Sequence, residues 1–222
     1  VLKYLNELDE ALNIDFQRAV DRIAGVPICA LLSLTERFRN FLFGSPSPAT
    51  SPKRILIILL SEMGSLVLAQ PMFAKLKQQY PDAELHILMF AKNREVLDLL
   101  GVMPREHVIT LNDKSLGQFV PDILCALRTM RGLKFDVVID CELFTRVSSI
   151  FAYLSGAPVR VGFHPHTQEG LYRGSYFNHP VMYNPYRHLS QQFLTMVAAI
   201  ESRGTPIAKA VAAELSAPPL LQ

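Results

Sequence analysis

Short apolar runs alternate with helix-forming segments from residue 53 to residue 202, and this alternation constrains the fold more than any other feature. Five runs have the length and apolar content of buried parallel strands, at 55–60, 85–90, 108–111, 135–139 and 159–163. Helical segments are interspersed at 65–79, 95–100, 122–130, 146–154 and 189–202. Because parallel strands need crossover helices between them, the sequence predicts an α/β fold with a doubly wound, Rossmann-like parallel sheet.

Composition narrows the class of protein. Half of the 222 residues are hydrophobic, which suffices for a sizeable core. Since only 19% are charged, the composition also argues against disorder. The net charge of +2 is too close to zero for a protein whose main ligand is nucleic acid. The three cysteines, Cys29, Cys125 and Cys141, form no CxxC pair, so we predict neither disulfides nor a zinc site, and a reducing, cytoplasmic location.

The first 44 residues predict an amphipathic helical arm. Its uncharged run, 23–35, is shorter than the roughly 20 apolar residues that span a bilayer. Two interpretations stay open, because the apolar face is wide enough for either: the arm lies in a membrane interface, or the arm packs on the body of the protein or on a partner chain. The residues at helical spacing are Val20, Ile23, Ala24, Pro27, Ile28, Leu31, Leu32, Thr35, Phe38 and Leu42, with Arg18, Arg22, Arg37 and Arg39 around them.

The loop after the first predicted strand holds four candidate site residues, because ligands of open parallel sheets bind at the carboxyl ends of strands. They are Ser61, Glu62, Gly64 and Ser65. Gly64 would allow a tight turn or the close approach of a ligand, and Ser65 suits the N-cap of a helix whose N-terminus attracts an anion. Glu62 is the only ionisable side chain in the loop and is therefore the candidate catalytic base, the alternative being a solvated carboxylate.

A second polar cluster, Asp140, Glu142 and Arg146, follows the fourth predicted strand. A carboxylate here would orient a hydroxyl group of a ligand, and Arg146 would hold a phosphate or a carboxylate. The alternative is that Asp140 caps the next helix and Glu142 pairs with Arg146 across one helical turn. Cys141 has no neighbour that activates a thiolate, so we predict that it is buried and inert.

The stretch between the fifth predicted strand and the last predicted helix has no clear period and predicts a long functional or capping loop. His164 and His166 form an H-x-H motif without a third ligand at suitable spacing, so we predict no metal site. Together with Arg160, Arg173 and Arg187, this stretch predicts a basic and aromatic surface that suits an anionic, hydroxyl-rich glycan.

Several short motifs occur in the order and spacing of a known enzyme family, over roughly residues 53–202. They are Lys53-Arg54-Ile55-Leu56-Ile57-Ile58, Ser61-Glu62-Met63-Gly64-Ser65, Gln70-Pro71, Tyr80-Pro81-Asp82-Ala83, Phe135-Asp136-Val137-Val138-Ile139-Asp140, Arg146 and Ser155-Gly156-Ala157-Pro158-Val159-Arg160-Val161-Gly162-Phe163. Together they resemble the N-terminal domain of glycosyltransferase family 9, the heptosyltransferases.

The resemblance implies the N-terminal half of a GT-B fold, in which this domain holds the acceptor and a C-terminal domain holds the donor. It implies transfer of a heptose-type sugar from a nucleotide-sugar donor such as ADP-heptose to a lipopolysaccharide or related surface-glycan acceptor. No metal or other cofactor is implied, and the reaction would take place at the inner face of the cytoplasmic membrane. The catalytic candidate is then Glu62, and the acceptor-binding candidates are Ser61, Gly64, Ser65, Asp140, Glu142, Arg146 and His164.

One residue departs from the family pattern. Ser65 stands where the family's loop usually carries an aspartate, the proposed base, and a hydroxyl group is too weak a base to replace it. Either Glu62 substitutes for that aspartate, or this subgroup works by a different mechanism, or it does not catalyse heptose transfer. The alternative to an enzyme is a non-catalytic glycan-binding or scaffold module of the same fold.

These expectations divide the chain into four segments. We predict the amphipathic helical arm at 1–44, a linker rich in proline and serine at 45–52, a Rossmann-like acceptor-binding domain at 53–205 and the start of an interdomain linker at 206–222. The donor domain is expected to be absent, so that the chain alone would be inactive. An arm in contact with the inner membrane would fit a lipid-linked acceptor.

Overall fold

The computed structural model describes most of the chain. The described residues are 2–44, 51–60, 63–112, 116–163 and 172–202, of which 2–20 and 116–120 are described as backbone only. Ser61, Glu62, His164 and the predicted interdomain linker lie outside the described residues.

The strands within the described residues are β1 Arg54–Ile58, β2 Glu84–Phe90, β3 Val108–Leu111, β4 Val137–Asp140, β5 Val159–Phe163 and β6 His179–Val181. They form a sheet in the order β3-β2-β1-β4-β5-β6, in which every neighbouring pair is parallel. The chain builds outward in one direction from β1 to β3 and in the other from β4 to β6, so the order switches between β1 and β4. The predicted α/β fold with a doubly wound parallel sheet is confirmed.

Helices cover both faces of this sheet. Alternate side chains of each strand point to opposite faces, which produces two apolar cores. Ile55 and Ile57 belong to one core and Leu56 and Ile58 to the other. The helices are α1 Leu2–Phe43, α5 Leu116–Leu133 and α6 Arg146–Leu154 over the second core, and α2 Met63–Leu68, α3 Gln70–Gln79, α4 Arg94–Leu100 and α7 Leu189–Ala199 over the first. Because the strands are buried on both faces, continuous apolar runs mark their positions in the sequence.

Two elements differ from the sequence prediction. The helix expected at 65–79 is interrupted at Ala69, because Pro71 lacks the N–H that would continue the hydrogen bonding and instead stands in the first turn of α3. Strand β6 forms inside the stretch that was expected to be a loop. Its three residues are too few to show a strand pattern, and Pro180 is tolerated there because β6 lies at the edge of the sheet.

Helix α1 lies against the body of the protein. Asp21 forms an ion pair with Arg146 at the start of α6, and Glu36 forms a buried ion pair with Arg160 of β5. The first ion pair lies at the start of α6 and the second lies beyond the end of α6, so α1 and α6 run in the same direction. The part of α1 from Asp21 to Glu36 therefore packs along the length of α6. Of the two interpretations of the arm, packing on the body therefore holds for this part of the helix.

The face of α1 that contacts the body consists of small or polar residues. It includes Gly25, Cys29, Ser33 and Glu36, all of which are buried. A Cβ atom added at Gly25 would lie 2.9 Å from Cδ of Arg146, so this glycine lets the helix approach that side chain. The expectation that the apolar face would supply the packing is wrong. Most of that face points to solvent, namely Ile23, Ile28, Leu31, Phe38 and Leu42.

Candidate functional site

The carboxyl ends of β1 and β4 lie side by side where the strand order switches, with Ile58 paired to Asp140. Glu142 holds the end of β1, because its Oε1 accepts a hydrogen bond of 2.6 Å from the backbone N–H of Leu60. Nδ2 of Asn93, in the turn after β2, donates to the carbonyl oxygen of Leu60 at 2.9 Å. The chain therefore leaves β1 from a fixed point next to the loop that follows β4.

A buried ion pair between Asp140 and Arg173 lies at this edge of the sheet. Asp140 is fully buried, and its Oδ2 accepts a hydrogen bond of 2.5 Å from Nη2 of Arg173. The carboxylate also accepts hydrogen bonds from Oγ of Ser148 at 3.2 Å and from the backbone N–H of Glu142 at 3.1 Å. Nε of Arg173 donates to the carbonyl oxygen of Thr145 at 2.8 Å. The pair thus joins β4, the start of α6 and the segment that leads into β6.

Arg173 was predicted only as part of the basic and aromatic surface and is absent from the acceptor-binding candidates. Its guanidinium group is buried, as is that of Arg160, so the expected basic and aromatic surface is wrong for both residues. Nη1 of Arg173 is buried and has no hydrogen-bond partner among the described residues. No local pattern indicates the pair, because 33 residues separate Arg173 from Asp140.

We expect Asp140 to make the folded protein less stable as the pH rises through weakly acidic values. Burial raises the pKa of Asp140 from 3.8 to about 6, more than the charge of Arg173 and the hydrogen bonds lower it. Between these pH values the folded state binds more protons than the unfolded state, so the free energy of unfolding falls, by on the order of 3 kcal/mol from this group. Urea unfolding of the wild type and of Asp140→Asn, from about pH 4 to about pH 7, measures the difference. Parallel pH profiles for the two proteins would contradict this expectation.

Arg146 binds a carboxylate of the protein itself. Its Nη1 lies 2.5 Å from Oδ2 of Asp21, so the alternative in which Arg146 pairs with Glu142 is wrong. Asp140 does not cap α6 either, because Thr145 precedes the helix and Oδ1 of Asp21 accepts the hydrogen bond of the first backbone N–H, that of Arg146. Asp21 takes both roles from a position 125 residues away, which no local pattern reveals.

Gly64 and Ser65 lie in the first turn of α2, which begins at Met63. Ser65 is therefore inside the helix, and the expectation that it occupies the N-cap is wrong. Gly64 has no positive φ and makes no tight turn, but an added Cβ atom would meet no atom within 4 Å. The close approach of a ligand to Gly64 stays a prediction, as do the binding roles of Ser65, Asp140, Glu142 and Arg146.

The roles of Ser61, Glu62 and His164 also stay predictions, since these residues lie outside the described ranges. In the part of the chain that the structure describes, no group of three or more His, Cys, Asp or Glu side chains is arranged to hold a metal ion. Cys141 is buried, and burial raises the pKa of its thiol well above the usual value. The prediction that Cys141 is buried is confirmed, and the raised pKa fits the prediction that it is inert.

Comparison with proteins of known sequence points to one group of enzymes. No protein-family model matches the chain. Lipopolysaccharide heptosyltransferase 3 of Escherichia coli (strain K12) is 24% identical to it over 116 residues. These residues are 51% of this chain and 33% of that enzyme, so the chain spans well under two thirds of this relative.

Two solved structures that share the fold of this chain are glycosyltransferases. The glycosyl transferase of family 9 from Veillonella parvula DSM 2008 superposes with a TM-score of 0.54 at 17% identity, over 68% of this chain and 42% of its own. The Escherichia coli heptosyltransferase WaaC with ADP-2-deoxy-2-fluoro heptose superposes with a TM-score of 0.56 at 16% identity, over 70% and 50%. The resemblance that the motifs predict is thereby confirmed: the chain is similar to a heptosyltransferase over 116 residues and has the fold of glycosyltransferase family 9.

Proposed function

We propose that the chain is the acceptor-binding half of a glycosyltransferase. The enzyme transfers a heptose-type sugar from a nucleotide-sugar donor, such as ADP-heptose, to a lipopolysaccharide or related surface-glycan acceptor. The observation that carries the proposal is the switch in strand order between β1 and β4, because open parallel sheets bind ligands there and the polar candidates gather at that edge. Similarity to a lipopolysaccharide heptosyltransferase supports the choice of substrates.

In this proposal Glu62 accepts the proton of an acceptor hydroxyl group. The hydroxyl oxygen forms a bond to the anomeric carbon of the donor sugar, and the bond from that carbon to the phosphate oxygen breaks, so that the nucleoside diphosphate leaves. Nη1 of Arg173, which has no hydrogen-bond partner among the described residues, and the open side of Gly64 would contact acceptor oxygen atoms. A C-terminal domain outside this chain would bind the donor, without a metal or other cofactor.

The acceptor of the proposed reaction is linked to lipid, so the enzyme would work at the inner face of the cytoplasmic membrane. The full-length gene product, incubated with ADP-heptose and lipopolysaccharide from a strain that lacks heptose, tests the reaction. Mass spectrometry of the acceptor should show the addition of heptose. An acceptor that binds to the protein but gains no sugar would contradict the enzymatic proposal.

Ser65 favours a second candidate function, a non-catalytic glycan-binding or scaffold module, because the family's loop usually carries an aspartate at this position. Such a module would bind the acceptor glycan and would be indifferent to the donor. Binding of acceptor with the same affinity in the presence and absence of ADP-heptose, together with no transfer, would support this function over the first.

A further inference from the structure

Helix α1 presents an apolar stripe to solvent along the length that is fixed to the protein. We define the outer stripe as Ile23, Leu31, Leu34, Phe38 and Phe41, whose side chains are 61% to 85% exposed. Successive members are separated by eight, three, four and three residues, which places them on one side of an α-helix. Leu42 and Phe43 extend the exposed apolar surface at the end of the helix.

The orientation of the stripe is set by the opposite face of α1. The buried ion pair of Glu36 with Arg160 and the pair of Asp21 with Arg146 hold this face against the body. Sγ of Cys29 lies 3.4 Å from the hydroxyl oxygen of Tyr176, in a buried contact between these two pairs. Rotation of the helix to bury the stripe would break all three contacts, so the stripe faces outward as long as the domain is folded.

The charges of α1 from residue 21 onward, where its side chains are described, are divided in the same way. From Asp21 to Gly44 the acidic side chains are Asp21 and Glu36, and both face the body in ion pairs with arginines. Arg37, which is exposed beside the stripe, forms no ion pair among the described residues, and Arg39 on the other side of the stripe is 39% exposed next to Glu36. The outward side of this part of α1 is therefore apolar with a cationic border.

An apolar face with cationic flanks and without carboxylates complements the surface of an anionic bilayer. The outer stripe offers no polar side-chain atom, whereas a protein interface usually forms about one hydrogen bond per 100–200 Å². The structure contains no helix among its described residues that is long and apolar enough to cross a membrane. A helix fixed along the protein surface by its polar face is instead suited to lie in the plane of the interface.

We infer that the outer stripe of α1 binds the surface of an anionic phospholipid bilayer. The stripe begins beside the candidate site, because Asp21 contacts Arg146 at the carboxyl edge of the sheet. Binding through the stripe would hold that edge close to a lipid-linked acceptor, and in this respect the inference rests on the proposed function. Vesicles that contain no glycolipid separate the two, because they offer the protein a bilayer but no acceptor.

Flotation of the 222-residue chain with vesicles of phosphatidylcholine and phosphatidylglycerol tests the inference. The wild type should float with these vesicles and much less with phosphatidylcholine alone. Phe38→Gln/Phe41→Gln should lower the partition coefficient by about tenfold or more, because two exposed aromatic side chains no longer enter the interface. Arg37→Gln should weaken binding to the anionic vesicles and leave binding to phosphatidylcholine unchanged.

Leu99→Gln/Leu124→Gln is the matched control. Leu99 in α4 and Leu124 in α5 are 75% and 63% exposed, close to the 64% and 85% of Phe38 and Phe41, but they lie on other helices. This variant should float like the wild type, and circular dichroism should show that both double variants are folded. Failure of the wild type to float with anionic vesicles would overturn the inference, as would equal losses in the two double variants. A third result would also overturn it: the wild type is a dimer, and Phe38→Gln/Phe41→Gln makes the protein monomeric but leaves its flotation unchanged.

Discussion

Replacement of Glu62 by Gln in the full-length protein is expected to lower kcat for sugar transfer by about 10²- to 10⁴-fold. Glutamine has nearly the size of glutamate but accepts no proton near neutral pH, so the acceptor hydroxyl group loses its base. The affinity for the acceptor should change little, because size and hydrogen-bonding capacity are largely kept. Steady-state rates of heptose transfer at saturating acceptor and donor measure the effect.

Glu106→Gln is the matched control for this variant. Glu106 is an exposed glutamate in the turn before β3, at the opposite edge of the sheet from the candidate site. Its replacement removes the same charge and should leave kcat unchanged. If Glu62→Gln also transfers sugar at the wild-type rate, Glu62 has no part in the mechanism.

Glu36→Gln is expected to lower the free energy of unfolding by roughly 3–5 kcal/mol. The side chains of Glu36 and Arg160 are each 4% exposed, and loss of the carboxylate leaves a buried guanidinium group without its counter-charge. Glu36 also pairs with Arg39 at 2.6 Å, so the variant weakens two ion pairs at once. Urea unfolding at neutral pH, followed by circular dichroism, measures the loss.

Asp98→Asn provides the comparison, because Asp98 pairs with Arg105, whose side chain is 74% exposed. An exposed pair of this kind contributes about 0–1 kcal/mol.

The contribution of Glu36 to stability should be lost on acidification. Burial raises the pKa of Glu36, but its hydrogen bonds and the charges of Arg39 and Arg160 lower the pKa by more, so that the net pKa lies below the usual value. Equal losses in Glu36→Gln and Asp98→Asn would show that the buried pair does not fix α1 to the body.

The fold was accessible to sequence analysis because its signals are local. A buried parallel strand such as β1 is an apolar run after its first residue, and Gly101, with φ of 60°, ends α4 in the left-handed conformation that favours glycine. Strand β6 escapes this approach because a three-residue edge strand with a central proline carries no pattern. Its pairing with β5 depends on the rest of the sheet.

The candidate site was accessible only in part. Strand ends are visible in the sequence, so Asp140 and Glu142 could be predicted to lie at the carboxyl edge. Their partners could not, since Arg173 and Asp21 reach this edge from distant segments through tertiary packing. Which face of α1 contacts the body could not be predicted either, because it also depends on tertiary packing. The surface under the helix presents arginine and tyrosine side chains, which bind the polar face of α1 and not the apolar one.

Titration of the 222-residue chain with a delipidated core oligosaccharide and, separately, with ADP-heptose tests the central claim most directly. The oligosaccharide has no acyl chains, so the outer stripe of α1 cannot contribute to its binding. An acceptor-binding half should bind the oligosaccharide and should bind ADP-heptose weakly or not at all. Arg173→Met should weaken oligosaccharide binding, whereas Phe38→Gln/Phe41→Gln should leave it unchanged. Tight binding of ADP-heptose without binding of the oligosaccharide would contradict the account.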